Sequence, residues 1–177
     1  RTADFVVIEG PKAGGHLGFS DEELADIENI DYDEEIKDII ECTKEYGEKY
    51  NTHIPVIVAG GIFDHDDIIH ALELGADGVQ IASRFVATKE CDASDEYKQA
   101  YLDAKEDDVK IIKSPVGMPG RAIRNDFIKR VEKEKQPVDK CYNCMKKCNP
   151  NEVPYCITKA LVDAVNGDIN NGLIFCG

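Results

Sequence analysis

Pairs of small residues follow the apolar runs of this sequence and are its candidates for binding a ligand through the backbone. They are Gly14-Gly15, Gly60-Gly61 and Ala82-Ser83. Because glycine has no side chain to block an approaching group, backbone N–H groups at such turns can contact a phosphate. Ser83 adds a hydroxyl donor. Consecutive strand-end turns of this kind predict a phosphate site of the type that parallel barrels build. A tight strand-to-helix turn is the alternative explanation for Gly60-Gly61.

His16 follows the first glycine pair and is the candidate for proton transfer. An imidazole with an unperturbed pKa of about 6.5 can accept or donate a proton at neutral pH. The alternative is a surface histidine in a flexible loop. The other histidines, His53, His65 and His70, are predicted to be structural or solvated.

Four cysteines form a second group that could carry chemistry. Cys141, Cys144, Cys148 and Cys156 are separated by two, three and seven residues. Thiolates at such close spacing suit an iron–sulfur cluster or a four-cysteine zinc site. The alternative is an ordinary tail with free thiols.

The elements that must position these residues alternate between strands and helices. Continuous apolar runs predict strands over residues 4–9, 54–59 and 77–82. Apolar residues at helical spacing predict helices over residues 33–50 and 64–74. A strand, a helix and a parallel strand make a right-handed unit, so the fold class is α/β.

The pattern changes after residue 88. Helices are predicted over residues 94–105, 121–133 and 155–166, with a short strand over residues 109–112. A complete (β/α)8 barrel takes roughly 250 residues, whereas this sequence has 177. We therefore expect a fragment of a longer polypeptide; a small three-stranded α/β domain is the alternative.

Charge and composition narrow the class of partner. The net charge of −14 argues against nucleic acid, which needs a basic surface. The sequence has no apolar run long enough to cross a membrane and no recognisable signal peptide, so no membrane partner is expected. Seven cysteines without such a signal indicate a reducing compartment. These features predict a cytoplasmic protein.

Three motifs follow one another along the sequence: EGPKAGGHLG (Glu9–Gly18), PVIVAGGI (Pro55–Ile62) and LGADGVQIASRF (Leu74–Phe85). In this order they resemble the nitronate monooxygenase family, formerly called 2-nitropropane dioxygenases, which includes similar FMN-dependent enoyl-acyl-carrier-protein reductases. The segment Pro119–Asn125 is also similar to that family. The resemblance covers nearly all of the sequence but only the C-terminal half of the family's barrel. Family members often carry glutamine at the position of Glu9, and glycine-threonine where Ala82-Ser83 stands.

The resemblance implies an FMN-containing TIM barrel. Residues 1–135 would form the C-terminal half of the barrel, and residues 136–177 a cysteine-rich tail with a short helix. The resemblance gives His16 the role of catalytic acid or base. The residues predicted to contact FMN are Glu9, Gly14, Gly15, Gly60, Gly61, Gln80, Ile81, Ala82 and Ser83.

The resemblance also implies an activity, the oxidation of small nitronates with oxygen. NAD(P)H-dependent reduction of an enoyl thioester is the alternative within the family. A non-catalytic metal-binding or assembly module is the alternative from another class. A small-molecule substrate, with oxygen or NAD(P)H, is therefore the expected partner, and a homodimer is a candidate assembly.

Overall fold

The structure is a computed structural model that describes residues 3–146 and 148–177. It has a mixed α/β fold, and the chain divides into two compact units. The first unit contains the residues up to Ala13 together with Gly18–Ala82, and the second contains Gly14–Leu17 and Ser83–Gly177. In chain order the elements are β1 (Val6–Glu9), β2 (Gly15–His16), α1 (Asp21–Ala25), α2 (Tyr32–Tyr50), β3 (Val56–Ala59), α3 (His65–Glu73), β4 (Gly78–Gln80), α4 (Ser83–Val86), α5 (Asp95–Asp103), β5 (Val109–Lys113), β6 (Pro119–Ile123), α6 (Asp126–Val131) and α7 (Ile157–Val165).

The first unit is built on a parallel sheet in the order β1-β3-β4. Val6 pairs with Val56, and Ile57 pairs with Gly78. The three parallel strands expected from the apolar runs are therefore confirmed. Parallel neighbours align the carboxyl ends of their strands, so the glycine turn after β3 lies at the same edge of the sheet as the ends of β1 and β4.

Two helices cover this sheet. Asp31 caps α2 by accepting a hydrogen bond from the Glu34 backbone, and Asn51 ends the helix in the left-handed conformation. Asp64 caps α3 in a reciprocal arrangement with Asp67. Their apolar faces pack on the strands in one core cluster: Ile8, Ile36, Ile40, Val56, Val58, Ala71 and Ala76. The helices predicted over residues 33–50 and 64–74 are confirmed, and each end lies within one residue of its predicted position.

The strand β1 differs from the expectation of a fully buried run. Ile8 is buried, but Phe5 is 59% exposed and Val7 is 39% exposed. Successive side chains of a strand point to opposite faces, so the alternation means that one face of β1 is covered and the other is not.

The second unit contains an antiparallel sheet in the order β2-β6-β5. The helix predicted over residues 121–133 is wrong at its start, because residues up to Ile123 form β6. A helix, α6, begins only at Asp126, after Asn125 caps it through the Ile128 backbone. Pairing with both β2 and β5 explains the difference. A short apolar segment is compatible with the spacing of a helix or of a strand, and its tertiary pairing decides which of the two forms.

The segment after residue 135 shares its core with the residues before it. Tyr155 and Leu173, both fully buried, pack with Ile112, Phe127 and Ile128. Backbone bonds add to this packing, because the Ile123 N–H donates to the Ile174 carbonyl and the Cys176 N–H to the Arg121 carbonyl. The predicted boundary at residues 135 and 136 stays a prediction, and residues on both sides of it belong to one packed unit.

Candidate functional site

The glycine pair after β3 has an unusual backbone. Gly60 and Gly61 have φ angles of 82° and 79°, in the left-handed region that side chains rarely adopt. A Cβ on Gly60 would lie 2.8 Å from the Cβ of Ala13, and one on Gly61 would lie 3.2 Å from the Cβ of Lys12. Gly61 is exposed. The turn therefore requires glycine for conformation and for packing, and it presents bare backbone to solvent.

Tyr32 supports the strand ends from the side of α2. Its hydroxyl donates to the Ile8 and Ala59 carbonyls at 3.2 and 3.3 Å. Its ring lies against Gly10, where an added Cβ would be 2.5 Å away. Burial, followed by the negative charges of Glu35 and Glu9, raises the pKa of Tyr32 to about 12. The phenol therefore keeps its proton at neutral pH and can donate hydrogen bonds.

A cleft of about 650 Å³ in the first unit is lined by Lys12, Gly61, Asp67 and His70, among others. The Asp67 carboxylate accepts from the Phe63 and Asp64 N–H groups, and these two bonds lower the pKa of Asp67. Carboxylates oppose a bound anion, so the backbone of the glycine turn and Lys12 are the groups in this region that suit a phosphate.

The other predicted cofactor residues of the first unit lie at strand ends. Glu9 is the last residue of β1 and is exposed, while Gln80 is the last residue of β4. Ile81 and Ala82 follow in the loop after β4, half-buried and exposed respectively. Side chains and backbone at these positions can contact a ligand at the carboxyl edge of the sheet.

His16 lies in β2 of the second unit and not in a flexible loop. Its backbone pairs with Gly120. Its Nε2 is 2.7 Å from the Ser114 Oγ, and its ring meets Phe175 edge-on with centroids 5.0 Å apart. Partial burial lowers the pKa of His16 below 6.5. The ring is therefore fixed and predominantly neutral at pH 7.

Gly14 and Gly15 hold the backbone next to this histidine. A Cβ on Gly14 would lie 2.6 Å from the Gly177 nitrogen and 2.7 Å from the Cys176 carbonyl carbon. Gly15 has a φ of 82°. Gly14 is nevertheless exposed on its remaining side. Chain packing accounts for the missing side chain at Gly14, and its backbone is still accessible.

Ser83 begins α4, and its hydroxyl accepts a hydrogen bond from the Gly177 N–H at 3.1 Å. A hydrogen bond from the same hydroxyl to Cys176 acts against the burial that raises the pKa of that thiol. Arg121 is half-buried, and burial lowers its pKa although the nearby Cys176 thiol acts in the opposite direction. Both residues belong to the second unit.

Sequence reasoning missed three residues around His16: Ser114, Phe175 and the neighbouring Arg121. Arg121 was within a segment noted for its family resemblance but was predicted to begin a helix. No local signal marks Ser114 or Phe175, because both reach the histidine only through the folding of distant segments.

The cysteines of residues 141–156 are free thiols, two of them exposed and two half-buried. Partial desolvation, followed by the negative charges of Cys141, Cys144 and Cys156, raises the pKa of Cys148. In residues 3–146 and 148–177, no group of three or more His, Cys, Asp or Glu side chains is arranged to hold a metal ion. The metal site at these cysteines stays a prediction.

These features define an α/β protein with a glycine turn after a buried parallel strand and a histidine fixed in a second sheet. The sequence model of the family described as nitronate monooxygenase matches residues 1–177. The chain belongs to the nitronate monooxygenase family, as its motifs indicated.

Individual relatives agree with this family. Probable nitronate monooxygenases of Staphylococcus saprophyticus and Staphylococcus aureus strain Newman are each 32% identical, over 128 and 131 residues, which cover 72% of this chain and 34% of theirs. FabK from Thermotoga maritima aligns with a TM-score of 0.65 and 28% identity over 99% of this chain and 47% of that chain. The nitroalkane oxidase of Streptomyces ansochromogenes aligns with a TM-score of 0.64 and 25% identity over 99% of this chain and 45% of that chain.

The chain thus spans about a third of the length of these curated relatives and under half of these solved structures. In the part of the chain that the structure describes, no helix is both long enough and apolar enough to span a membrane.

Proposed function

We propose that this chain supplies the FMN-binding and proton-transferring part of an oxidoreductase that oxidises small nitronates with oxygen. The environment of His16 carries the proposal. The imidazole is half-buried, hydrogen-bonded to Ser114 and lowered in pKa, so it is neutral at pH 7 and able to accept a proton. Family membership, with relatives named probable nitronate monooxygenases, supports the same activity.

FMN is the cofactor that the family implies, and the first unit offers a backbone site that fits its phosphate. Gly60 and Gly61 are both left-handed at the end of a buried strand, which keeps the turn bare of side chains. Lys12 lies beside Gly61 and contributes positive charge. We assign the phosphate contacts in this unit to Gly60, Gly61, Gln80, Ile81 and Ala82.

The remaining cofactor assignments follow the family motif. In the first unit, Glu9 is assigned to the flavin ring, where its carboxylate would add negative charge. In the second unit, the assigned residues are Gly14, Gly15 and Ser83. The exposed side of Gly14 supports these assignments.

When bound, FMN supplies a ring that accepts an electron pair from the substrate. The chain's own contribution is proton transfer and orientation. His16 takes up on its ring the α-proton of a neutral nitroalkane, which leaves the nitronate that is oxidised. Phe175, packed edge-on against the imidazole, restricts the directions that the ring can adopt.

We further propose that residues 1–135 are the C-terminal half of a (β/α)8 barrel and that residues 136–177 follow it as an extension. The parallel order of β1, β3 and β4 supports this assignment. β1 and β4 lie at the two edges of their sheet, where further strands of a longer protein can pair.

NAD(P)H-dependent reduction of an enoyl thioester is the second candidate, supported by the likeness to FabK, which matches the likeness to the nitroalkane oxidase in TM-score. Two assays on the flavin-loaded full-length protein separate the candidates. Oxygen uptake with propyl nitronate, without NADH oxidation on crotonyl thioester, is the expected result. The reverse pattern would replace the proposal with the reductase, and purified full-length protein without flavin would favour the non-catalytic alternative.

The proposed partners are a small-molecule substrate and oxygen, or NAD(P)H for the reductase. We also retain a homodimer as the candidate assembly and the cytoplasm as the proposed location. The net charge of −14 supports a partner other than nucleic acid.

A further inference from the structure

We infer that Ser114 is a positioning residue that fixes the tautomer of His16, so that Nδ1 is the nitrogen that takes up the substrate proton. This inference rests on the proposed role of His16 and adds the atom through which that role is performed. It depends on three features of the second unit: the anchoring of His16, the anchoring of Ser114 and the buried hydroxyl of Tyr155.

The backbone of His16 is held on both sides. Gly15 pairs with Arg121 and His16 with Gly120, and the Leu17 N–H donates to the Pro119 carbonyl at 2.9 Å. The side chain then has few directions open to it. With the Phe175 ring against one edge, the 2.7 Å contact from Nε2 to the Ser114 Oγ defines the ring orientation.

Ser114 is itself held in the turn between β5 and β6. The Val116 N–H approaches its Oγ at 3.4 Å, and the Gly117 N–H donates to its carbonyl at 3.1 Å. These two hydrogen bonds hold the turn in one conformation. The Ser114 hydroxyl can therefore accept a hydrogen bond from the imidazole without a further loss of conformational freedom. Such a preset partner fixes which ring nitrogen carries the proton.

Tyr155 supplies a place for the hydroxyl hydrogen of Ser114. Its side chain is fully buried, and among the described residues its own hydroxyl makes no hydrogen bond of ordinary geometry. Burial raises the pKa of Tyr155 to about 12, and the adjacent Ser114 hydroxyl acts in the opposite direction. In the inferred arrangement the Ser114 hydrogen is directed toward this unpartnered oxygen, which leaves a Ser114 lone pair for the N–H of His16.

The resulting assignment is Nε2–H donating to Ser114, with the Nδ1 lone pair available to the substrate. A proton that moves from the α-carbon of a neutral nitroalkane to Nδ1 leaves the nitronate and gives an imidazolium whose Nε2–H bond to Ser114 is already in place. The partner is a neutral hydroxyl, unlike the carboxylates of Asp77 and Asp33 that face His53 and His70 in the first unit. Ser114 therefore orients His16 without adding a negative charge beside it.

The test is the histidine tautomer in ¹⁵N-labelled chain, measured by long-range ¹H–¹⁵N correlation at pH 8. The sequence has only four histidines, and a His16→Ala spectrum assigns the signal of interest. The wild-type signal should show Nε2 protonated. Ser114→Ala should give the exchange-averaged shifts of a mixed tautomer, and Ser114→Thr should restore the wild-type pattern.

Ser94→Ala is the matched control, because it removes the cap of α5 in the same unit and costs stability without touching the imidazole. It should leave the tautomer unchanged. If Ser114→Ala does not fold, Ser114→Thr and the wild type still test the assignment. A wild-type His16 protonated at Nδ1, or a Ser114→Ala signal identical to wild type, would overturn the inference.

A kinetic readout in the flavin-loaded full-length protein completes the test. Ser114→Ala should lower kcat about tenfold, the effect of losing one hydrogen bond, with KM and flavin content nearly unchanged. An unchanged kcat in Ser114→Ala would contradict the positioning role proposed for Ser114. If His16→Ala itself retains full turnover, the proposed role of His16 fails, whereas the tautomer measurement still decides what Ser114 does.

Discussion

Gly14 lies directly against the backbone of Cys176, so that a Cβ at Gly14 would be only 2.7 Å from the Cys176 carbonyl carbon. The contact joins the loop before His16 to a segment far along the chain. Because the next residue back, Phe175, packs on the His16 ring, the same segment contacts both the glycine and the histidine.

Replacing Gly14 with alanine should therefore displace residues 175–177 and lower the free energy of unfolding by about 1–3 kcal/mol, the usual cost of overpacking. Thermal or denaturant unfolding of the second unit measures the effect. Gly18→Ala is the control, because nothing lies within 4 Å of a Cβ there. Equal free energies of unfolding for the two variants would show that residues 175–177 move to accommodate the methyl group without destabilising the protein.

The glycine turn after β3 gives a second prediction. Gly61→Leu should reduce the FMN content of the full-length protein, because a side chain at a φ of 79° strains the turn and occupies the space beside Lys12. Gly75→Ala serves as control, since it combines a φ of 105° with an ordinary 3.6 Å contact to Ile40. Full flavin occupancy in Gly61→Leu would remove the phosphate assignment.

The pKa of His16 gives a third prediction with a definite sign. Burial lowers the folded-state pKa below 6.5, so the unfolded chain binds this proton more readily than the folded chain. The stability contribution of the neutral ring is thus complete above about pH 6.5 and decreases as the pH falls toward the folded pKa. NMR titration should place the His16 midpoint below 6.5, and a midpoint above it would contradict the burial argument.

Much of the first unit could be predicted from the sequence, because each of its strands, helices and turns is marked by residues within that element. Apolar runs specified β1 and β3, and Asp64 with Gly75 bounded α3 within a residue or two. The glycine pair after β3 was likewise visible, since left-handed backbone selects for glycine.

The second unit was harder to predict because its strands and the contacts of His16 depend on segments that are far apart in the sequence. Gly120 and Arg121 form a strand only because β2 and β5 pair with them on either side. His16 was a clear candidate, yet its partner Ser114 is 98 positions away and has no local pattern. Contacts of this kind are set by topology, which periodicity does not encode.

The cysteine group gives a fourth prediction. Zinc or iron supplied during anaerobic purification should bind to the wild-type protein and be lost in Cys144→Ser, because four thiolates at this sequence spacing suit either metal. Cys42→Ser, which changes an exposed thiol on α2 in the first unit, is the control. Metal content by elemental analysis that is absent from the wild type, or equal in both variants, would identify the segment as an ordinary packed tail.

The most direct test of the account is turnover of the full-length His16→Ala protein on neutral 1-nitropropane at pH 7.5, because this substrate must lose its α-proton to become the nitronate. Loss of a positioned proton-transfer group should lower kcat by about 10²–10⁴ while flavin content stays near that of the wild type. His65→Ala, an exposed histidine at the start of α3, should retain full activity. Wild-type turnover in His16→Ala, with FMN bound, would contradict the central claim that His16 transfers the substrate proton.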